Sequence, residues 1–446
     1  MKILKEKSEQ VFDTVFKTSQ ADETEIHFNW ITHALTRFAN NEIHQNMGDE
    51  DIEVSIRSSF GKKTARVTTN KTDMEYLKKM TQLSNHLASL TPEDPDLLPM
   101  PGPQTYPTVK HAYERTDHIK AETRARAVSV PIKIAQLKNL TCAGIFANDL
   151  TRHALGNSKG LRAYSEETYA VFSTTMMDNK LGSGWAKMGH PDSTQIPVET
   201  LALQASEKAI LSKNPIDISA GAYTVILEPS AVLDLLEFML LDFGGLSVLE
   251  QRSAFTEKLD KKIFGSNITF KDDIYHPLQS GAPFDGEGFP KKQIELVQNG
   301  ILKNLVYSQS SALRSQKKPT GHGFPVPNAY GEAPMNFVMN GGNSSLKQMI
   351  EGTDRGLLMT RFWYIREVDP MQKILTGMTR DGTFLIENGV LKSAVKNLRF
   401  NESLFHLLNN VVELGPSVRA SGEEGMDMIV PALKANDFHF TSSTKY

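Results

Sequence analysis

Glu237 lies at the centre of an apolar stretch, LEPSAVLDLLEFMLLDFGG, at residues 227–245. A helical glutamate can activate water beside a zinc ion when two histidines about one turn apart hold that ion, because neutral imidazole is a zinc ligand. This stretch contains no histidine or cysteine, and Leu236 and Leu241 flank the glutamate. Leucine cannot coordinate a metal, so the residues predict a buried helix that carries a carboxylate without a metal.

One more residue of this stretch and two loops elsewhere in the chain could contribute to a site. Asp234 lies three residues before Glu237 and shares its side of the helix. A Gly/Pro-rich loop at 320–334 contains His322, and a polar loop at 276–288 contains Asp285 and Glu287. A carboxylate pair with a histidine can hold a metal, so Asp234, Glu237 and His322 form an alternative site. A solvated turn is the simpler interpretation of Asp285 and Glu287, and a structural role is the simpler one for His322.

A serine and a cysteine are weaker candidates for a reactive residue. GNSKG, with Ser158 at its centre, matches the nucleophile pattern G-x-S-x-G, but that pattern needs a strand, a turn and then a helix. The residues that follow, LRAYSEETYAVF, predict a strand, so Ser158 is interpreted as a turn residue. Cys142 is the single cysteine, which excludes an internal disulfide and a cysteine-rich zinc site.

Composition narrows the class of protein. The 446 residues include 49 Lys plus Arg and 52 Asp plus Glu, for a net charge of −3, which offers no electrostatic surface for nucleic acid. The apolar run at 231–241 is about half of a membrane span and contains two acids. The N-terminus lacks an apolar segment typical of a signal peptide. We therefore expect a cytoplasmic protein without nucleic-acid or membrane contacts, built from about two or three domains.

The elements of the first half predict an α+β arrangement. Apolar periodicity indicates helices at 3–18, after the capping pair Thr72 and Glu75, at 117–137 around Pro131, and at 198–212. Short-period alternation and three turn signals predict a four-stranded meander over residues 32–69, with one turn at Gly48-Asp49. Further strands are expected before the last of these helices, in the segments LTCAGIFAND, RHALGNSKGLRAYS and TYAVFSTTMM.

The second half is expected to be mostly antiparallel β structure. The dipeptides Asn299-Gly300 and Asn388-Gly389 are strong hairpin signals between apolar flanks. The helix around Glu237 opens this half, with Ser230 as its expected N-cap. We therefore expect an N-terminal mixed α/β-meander domain at 1–215 and a C-terminal β-rich domain at 216–446.

Several long segments in order resemble the TldD/PmbA family, also called the modulator of DNA gyrase family. The N-terminal segments are LTRFANNEIHQN (35–46), NSKGLRAY (157–164) and GSGWA (182–186). The C-terminal ones are PFDGEGFPKKQIELVQNGILKNLVY (283–307), GLLMTRFWYIREVDP (356–370) and TGMTRDGTFLIENGVLKSAVKNLRFNES (376–403).

The resemblance implies a role. TldD-like members of the family carry an H-E-x-x-x-H helix and a later cysteine and resemble zinc peptidases, whereas TldE/PmbA-like members lack these ligands and act as partners. The motif corresponds to residues 236–241, where only Glu237 matches, and Cys142 lies far upstream. The resemblance thus implies a TldE/PmbA-like subunit of a cytoplasmic metalloprotease, with Glu237 as a vestigial residue at the general-base position and no cofactor of its own.

The same resemblance implies a TldD-like subunit or a second copy as partner, and peptides or unfolded segments as substrate. Arg361, Arg366 and His322 are candidates for shaping a peptide channel, without an assigned role. Two alternatives stay open: a stand-alone hydrolase that uses Asp234, Glu237 and His322, and a protein-binding regulator of DNA gyrase.

Overall fold

A computed structural model describes residues 2–178, 182–422 and 425–444. Helix α1 (Lys2–Thr18) opens the chain, as expected. Six antiparallel strands then form the first sheet in the order β3-β2-β1-β4-β5-β6. Their bounds are β1 Glu23–Ala39, β2 Glu42–Phe60, β3 Lys63–Thr69, β4 Thr141–Asn157, β5 Arg162–Met177 and β6 Ser183–His190.

The prediction of a four-stranded meander was wrong, because residues 32–69 contribute to three strands. Asn40 and Asn41 turn the chain with φ values of 50° and 62°, and Gly61 does so with a φ of 56°. Gly48 lies inside β2 and pairs with Ala34 of β1. The glycine therefore stays in extended backbone, and β2 continues for 19 residues.

The helices of the first half pack on this sheet. They are α2 Met74–Leu90, α3 Glu114–Asp117, α4 Ala121–Leu137 and α5 Val198–Leu211, with a 3-10 turn at Ser193–Gln195. The expected cap of α2 was wrong by one residue: Asp73, not Thr72, accepts the Tyr76 N–H at 2.8 Å. Pro131 lies inside α4 without ending it.

Two more sheets contain the strands that follow residue 220. One has the order β10-β9-β8-β11-β18-β17 and the other the order β12-β7-β19-β15-β13-β14, with β16 beside β19. The early strands are β7 Gly221–Leu227, β8 Phe270–Asp272, β9 Ile294–Gln298, β10 Ile301–Leu302 and β11 Phe337–Met339. The later ones are β12 Arg355–Asp369, β13 Ile374–Glu387, β14 Val390–Ala394, β15 Leu398–Ser403, β16 Val411–Leu414, β17 Val418–Ala420, β18 Met428–Val430 and β19 Leu433–Ser443.

Most strand pairs in these two sheets are antiparallel, as expected; β7–β12 and β11–β18 are parallel. Asn299-Gly300 and Asn388-Gly389 turn the predicted hairpins with positive φ at both residues. The additional pairing of β12 with β13 closes the last sheet into a ring. The helices here are α6 Pro229–Leu236, α7 Gly245–Leu249, α8 Gln309–Arg314, α9 Leu346–Glu351 and α10 Leu404–Asn409, with a 3-10 segment at Glu237–Phe243.

The expected α+β class is confirmed, with mostly antiparallel sheets. The largest apolar cluster is formed by residues after 220, and two others lie between the first sheet and its helices. The division into domains at 1–215 and 216–446 stays a prediction. Among the described residues, no helix is both long and apolar enough to cross a membrane.

Candidate functional site

Helix α6 begins where β7 ends, and proline sets its start. Pro229 occupies the first turn, where its missing N–H has no intrahelical partner to lose. Ser230 is not the N-cap that we expected; Glu228 holds that position without a side-chain cap. The Ser230 hydroxyl instead donates to the carbonyl oxygen of Ser421 at 3.1 Å. The start of the helix is thereby attached to the loop after β17.

The predicted single helix changes form at Glu237. The α-helix ends at Leu236, and a 3-10 segment continues from Glu237 to Phe243. A 3-10 helix turns about 120° per residue rather than 100°, so later side chains point in other directions than an α-helix would give them. Leu236 is buried, as expected, but Leu241 is 44% exposed. The prediction that both leucines pack in the core was therefore wrong for Leu241.

Asp234 and Glu237 do lie together, as their spacing predicted. Asp234 is buried, and its Oδ2 accepts the backbone N–H of Phe362 at 3.0 Å. Glu237 is half-buried. Both carboxylates border a small cavity of about 90 Å³, whose other lining residues come from β12 and the 3-10 segment: Phe238, Phe362, Trp363, Tyr364, Ile365 and Arg366.

Glycines bring the loop after β17 against these two carboxylates. A Cβ on Gly425 would overlap the Glu237 carboxylate, and one on Gly422 would lie 2.9 Å from Asp234 Oδ1. Only a residue without a side chain allows this approach. The loop sequence at 421–427, SGEEGMD, contains no histidine or cysteine. The described residues of this loop, 421–422 and 425–427, therefore offer Glu237 neither an imidazole nor a thiolate ligand for zinc.

A buried lysine holds the 3-10 segment in place. Lys373 donates to the carbonyl oxygen of Phe238 at 3.0 Å and pairs with Asp242 at 2.6 Å and Glu367 at 2.5 Å. Lys373 and Asp242 are both buried. Sequence reasoning missed this anchor, because Lys373 lies in the β12–β13 turn, far along the chain from the helix that it stabilises.

The two candidate arginines of β12 have different positions. Arg366 lines the cavity, and its guanidinium lies 4.4 Å from the centre of the Tyr364 ring. Arg361 is buried, donates to Asp381 at 2.9 Å and stacks on Trp185 of the first sheet at 4.8 Å. Arg361 therefore connects two sheets and does not line the cavity, while Arg366 remains a candidate for contact with a ligand.

His322 is buried in a different cluster. Its Nε2 lies 2.9 Å from Asp272 Oδ1, and its Nδ1 lies 2.9 Å from the Thr320 hydroxyl. The residues that line the cavity beside Glu237 do not include it. The alternative site of Asp234, Glu237 and His322 is thus not assembled in this structure.

Asp285 and Glu287 are not the solvated turn that we expected, because both side chains are buried. Asp285 accepts three backbone N–H groups, from Glu287, Phe289 and Gly323. Glu287 accepts the N–H of Gln309 at 2.7 Å. Burial, with the neighbouring Asp285 charge, raises the pKa of Glu287 to about 8.

Glu287 also borders a cavity of about 590 Å³. Its cationic lining residues are Arg57, Arg252 and Arg314.

Ser158 is confirmed as a turn residue. Strand β5 follows it, and its hydroxyl accepts the Thr24 N–H at 3.0 Å.

A group that sequence reasoning missed lies where β15, α10 and β19 meet. Glu402, His406 and His439 each offer a donor atom within 4.8 Å of the others. The only local signal was the four-residue spacing of Glu402 and His406, which is the spacing of neighbours on a helix, although Glu402 lies in β15 and only His406 lies in α10. His439 follows more than thirty residues later, so the trio could not be found from spacing.

Comparisons with known proteins identify the family to which this fold belongs. The family model described as "PmbA/TldA metallopeptidase C-terminal domain" matches residues 220–442, half of the chain. The computed structure superposes on the crystal structure of TldE from Thermococcus kodakarensis with a TM-score of 0.89 and 21% identity, covering 98% of this chain and 100% of that one. The chain belongs to the PmbA/TldD family, which confirms the resemblance seen in the sequence.

Two relatives show how far the likeness extends. An uncharacterized protein of Methanocaldococcus jannaschii is 31% identical over 202 residues, which cover 44% of this chain and 47% of the relative. The chain thus spans about half the length of that protein. Metalloprotease PmbA of Escherichia coli O157:H7 is 22% identical over 335 residues, or 73% of this chain and 71% of that one. Homologues of this chain are therefore named metalloproteases.

Proposed function

We propose that this chain is a TldE/PmbA-like subunit that supports peptide cleavage by a TldD-like zinc peptidase and holds no zinc at Glu237. The observation that carries the proposal is the composition of the site beside α6. Glu237 stands at the position that corresponds to the general base of the TldD-like motif, but Leu236 and Leu241 replace both histidines. The loop that faces it approaches through glycines.

The rest of the proposal follows from this loss of ligands. Without imidazole, two close carboxylates lack the neutral ligands that a peptidase zinc needs to polarise a carbonyl. A subunit of this kind contributes surface and enclosure instead of chemistry. Its substrates are peptides or unfolded segments in the cytoplasm, and its partner is a TldD-like chain or, in a homodimer, a second copy.

The proposal predicts that Glu237 has no catalytic role. The purified chain should not cleave an unstructured protein such as casein, and cleavage should appear when a TldD-like zinc peptidase from the same organism is added. E237Q should support cleavage at the wild-type rate, because the carboxylate does not activate water. Rates are measured by release of labelled peptides, and complex formation by light scattering after gel filtration.

The matched control is E207Q, which removes an exposed carboxylate on α5. Cleavage by the isolated wild-type chain that E237Q abolishes and E207Q preserves would overturn the proposal in favour of a stand-alone hydrolase. A pull-down that recovers a topoisomerase instead of a TldD-like chain would favour the gyrase-regulator alternative.

A further inference from the structure

Glu402 is a buried carboxylate that backbone donors orient toward two imidazole rings. Its Oε1 accepts the N–H of Ser403 at 2.9 Å, and its Oε2 accepts the N–H of His439 at 2.8 Å. Each carboxylate oxygen has two lone pairs, so one on each remains for another contact. The backbone thus fixes the carboxylate while leaving both oxygens able to bind.

Both remaining positions face a histidine Nδ1. His406 Nδ1 lies 2.9 Å from Oε1, and His439 Nδ1 lies 3.1 Å from Oε2. Two ligands of a tetrahedral zinc, each about 2.0–2.1 Å from the metal, are about 3.3 Å apart. The two nitrogen–oxygen separations therefore need to open by only a few tenths of an ångström to admit the ion, and the ligand atoms of all three residues lie within 4.8 Å of one another.

Asp437 supports the same arrangement from the other side of one ring. Its Oδ2 lies 3.5 Å from His406 Nε2, within ion-pair distance. A histidine that binds metal through one nitrogen usually directs its other N–H to a carboxylate, which fixes the tautomer. When Nδ1 of His406 binds metal, its proton is carried on Nε2, and a small side-chain rotation would bring the Asp437 carboxylate, 3.5 Å away, within hydrogen-bond distance of it.

The site is also accessible. The side chains of His406 and His439 are 34% and 49% exposed, while that of Glu402 is 3% exposed. An ion can reach the two imidazoles from solvent, and the buried carboxylate lies behind them. Two histidines and one glutamate leave a fourth coordination position for water.

We propose that Glu402, His406 and His439 form a binding site for a divalent metal of the zinc class, separate from the helix that bears Glu237. Imidazole with carboxylate suits zinc, and the mixed nitrogen and oxygen set distinguishes it from sites for calcium or magnesium. The sequence predicted no metal anywhere in this chain, and this inference departs from that prediction at a position away from the Glu237 helix. The inference does not depend on the proposed subunit role.

Titration of the full chain with zinc chloride, after treatment with a chelator, tests this site. Calorimetry should show one equivalent of zinc bound to the wild-type chain. H406Q and H439Q should each lower the affinity at least about tenfold, and D437N should lower it by about tenfold through loss of the orienting carboxylate. Glutamine retains an N–H donor for Glu402, so both histidine variants are expected to fold.

Two control variants distinguish binding at this site from zinc binding elsewhere on the chain. H118Q changes a histidine whose side chain is 75% exposed, and it should leave zinc affinity unchanged. E237Q should also leave it unchanged; a loss of binding in E237Q alone would contradict the proposed function as well as this site. Absence of binding by the wild-type chain, or binding by H406Q and H439Q as tight as that of the wild-type chain, overturns the inference.

A second measurement keeps the test decisive if a variant folds poorly. Cobalt(II) substitutes for zinc and absorbs visible light strongly when its coordination is tetrahedral. The wild-type chain and E237Q should both show that absorption at one equivalent. If the wild-type spectrum instead matches that of hexahydrated cobalt, the proposed site is contradicted, whether or not the histidine variants fold.

Discussion

The Glu237 helix and the Glu402 cluster both contain buried or half-buried carboxylates, but their surroundings differ. Around α6, the carboxylates meet a backbone N–H and a glycine-containing loop. Around α10, Glu402 meets two imidazoles and two backbone donors. The helix that bears Glu237 is therefore poor in the side-chain types that bind zinc, and the Glu402 cluster is rich in them. Ligand type and geometry, rather than correspondence to a motif, decide where a metal can bind.

Of the substitutions near the Glu237 helix, Lys373→Met should lower the free energy of unfolding the most. The substitution leaves Asp242 buried without its cation, which costs about 3–5 kcal/mol of unfolding free energy. Urea denaturation measures the loss. It should affect the 3-10 segment and leave zinc binding by the folded fraction unchanged, because the Lys373 side chain pairs with Asp242 and Glu367 and not with the Glu402 cluster.

Lys347→Met is the matched control. Lys347 pairs with Glu351 at 3.7 Å, and their side chains are 84% and 58% exposed. Loss of such a pair should cost less than about 0.5 kcal/mol. Equal effects of the two substitutions would show that Lys373 does not anchor the helix.

Glu287 is a third buried carboxylate, and it can be compared with the other two through the pH dependence of stability. The desolvation cost of its charged form exceeds the stabilisation from its hydrogen bond. Its pKa is raised in the folded chain, so the associated stability is complete below the ordinary pKa of glutamate and is lost as pH rises through about 8. E287Q resembles the protonated acid and retains an acceptor for Gln309. At about pH 9, E287Q should be more stable than the wild-type chain by at least about 1.4 kcal/mol, the equivalent of one pKa unit.

Unfolding free energies at about pH 5 and pH 9 would measure this difference, since the gain should vanish at the lower pH. E207Q, on an exposed surface, serves as the reference. A wild-type stability that does not fall relative to E287Q over this range would show that Glu287 ionises in the fold without cost.

Gly425→Ala should have the smallest effect and tests the contact between the loop and Glu237. The new methyl group would overlap the Glu237 carboxylate, but that carboxylate ends a flexible side chain and can move, so the expected cost is about 1 kcal/mol. Adding Glu237→Ala should recover part of it, with a coupling of about 0.5–1 kcal/mol in a double-mutant cycle.

Gly102→Ala is the control, because nothing lies within 4 Å of a Cβ at that position. Additive effects of Gly425→Ala and Glu237→Ala would mean that the loop does not depend on the approach of glycine to the carboxylate.

Local patterns predicted much of this fold. Helix α1, helix α5 and the hairpins at Asn299-Gly300 and Asn388-Gly389 were confirmed, because apolar periodicity and positive-φ turns are properties of neighbouring residues. The errors arose where contacts between separate elements overrode a local pattern. Gly48 was interpreted as a turn, but pairing with β1 keeps it extended, which no short-range signal reveals.

The candidate site also has features that the sequence predicted and features that it did not. Glu237, Asp234 and the absence of histidine beside them could be read directly from one short segment. Lys373, the exposed position of Leu241 and the trio of Glu402, His406 and His439 could not. The exposure of Leu241 depends on the change from α-helix to 3-10 helix at Glu237. The contacts of Lys373 and of the trio depend on the packing of elements that are far apart in the chain.

The sequence by itself determined the family, the α+β class and the lack of histidines at residues 236–241, since these follow from residue identity and order. Only the tertiary structure decided which distant side chains share one space. Strand pairing of β15 with β19 brings His439 to Glu402, and the close approach of the loop after β17 brings Gly425 to Glu237. Such contacts depend on the packing of elements far apart in the chain, for which residue order contains no local signal.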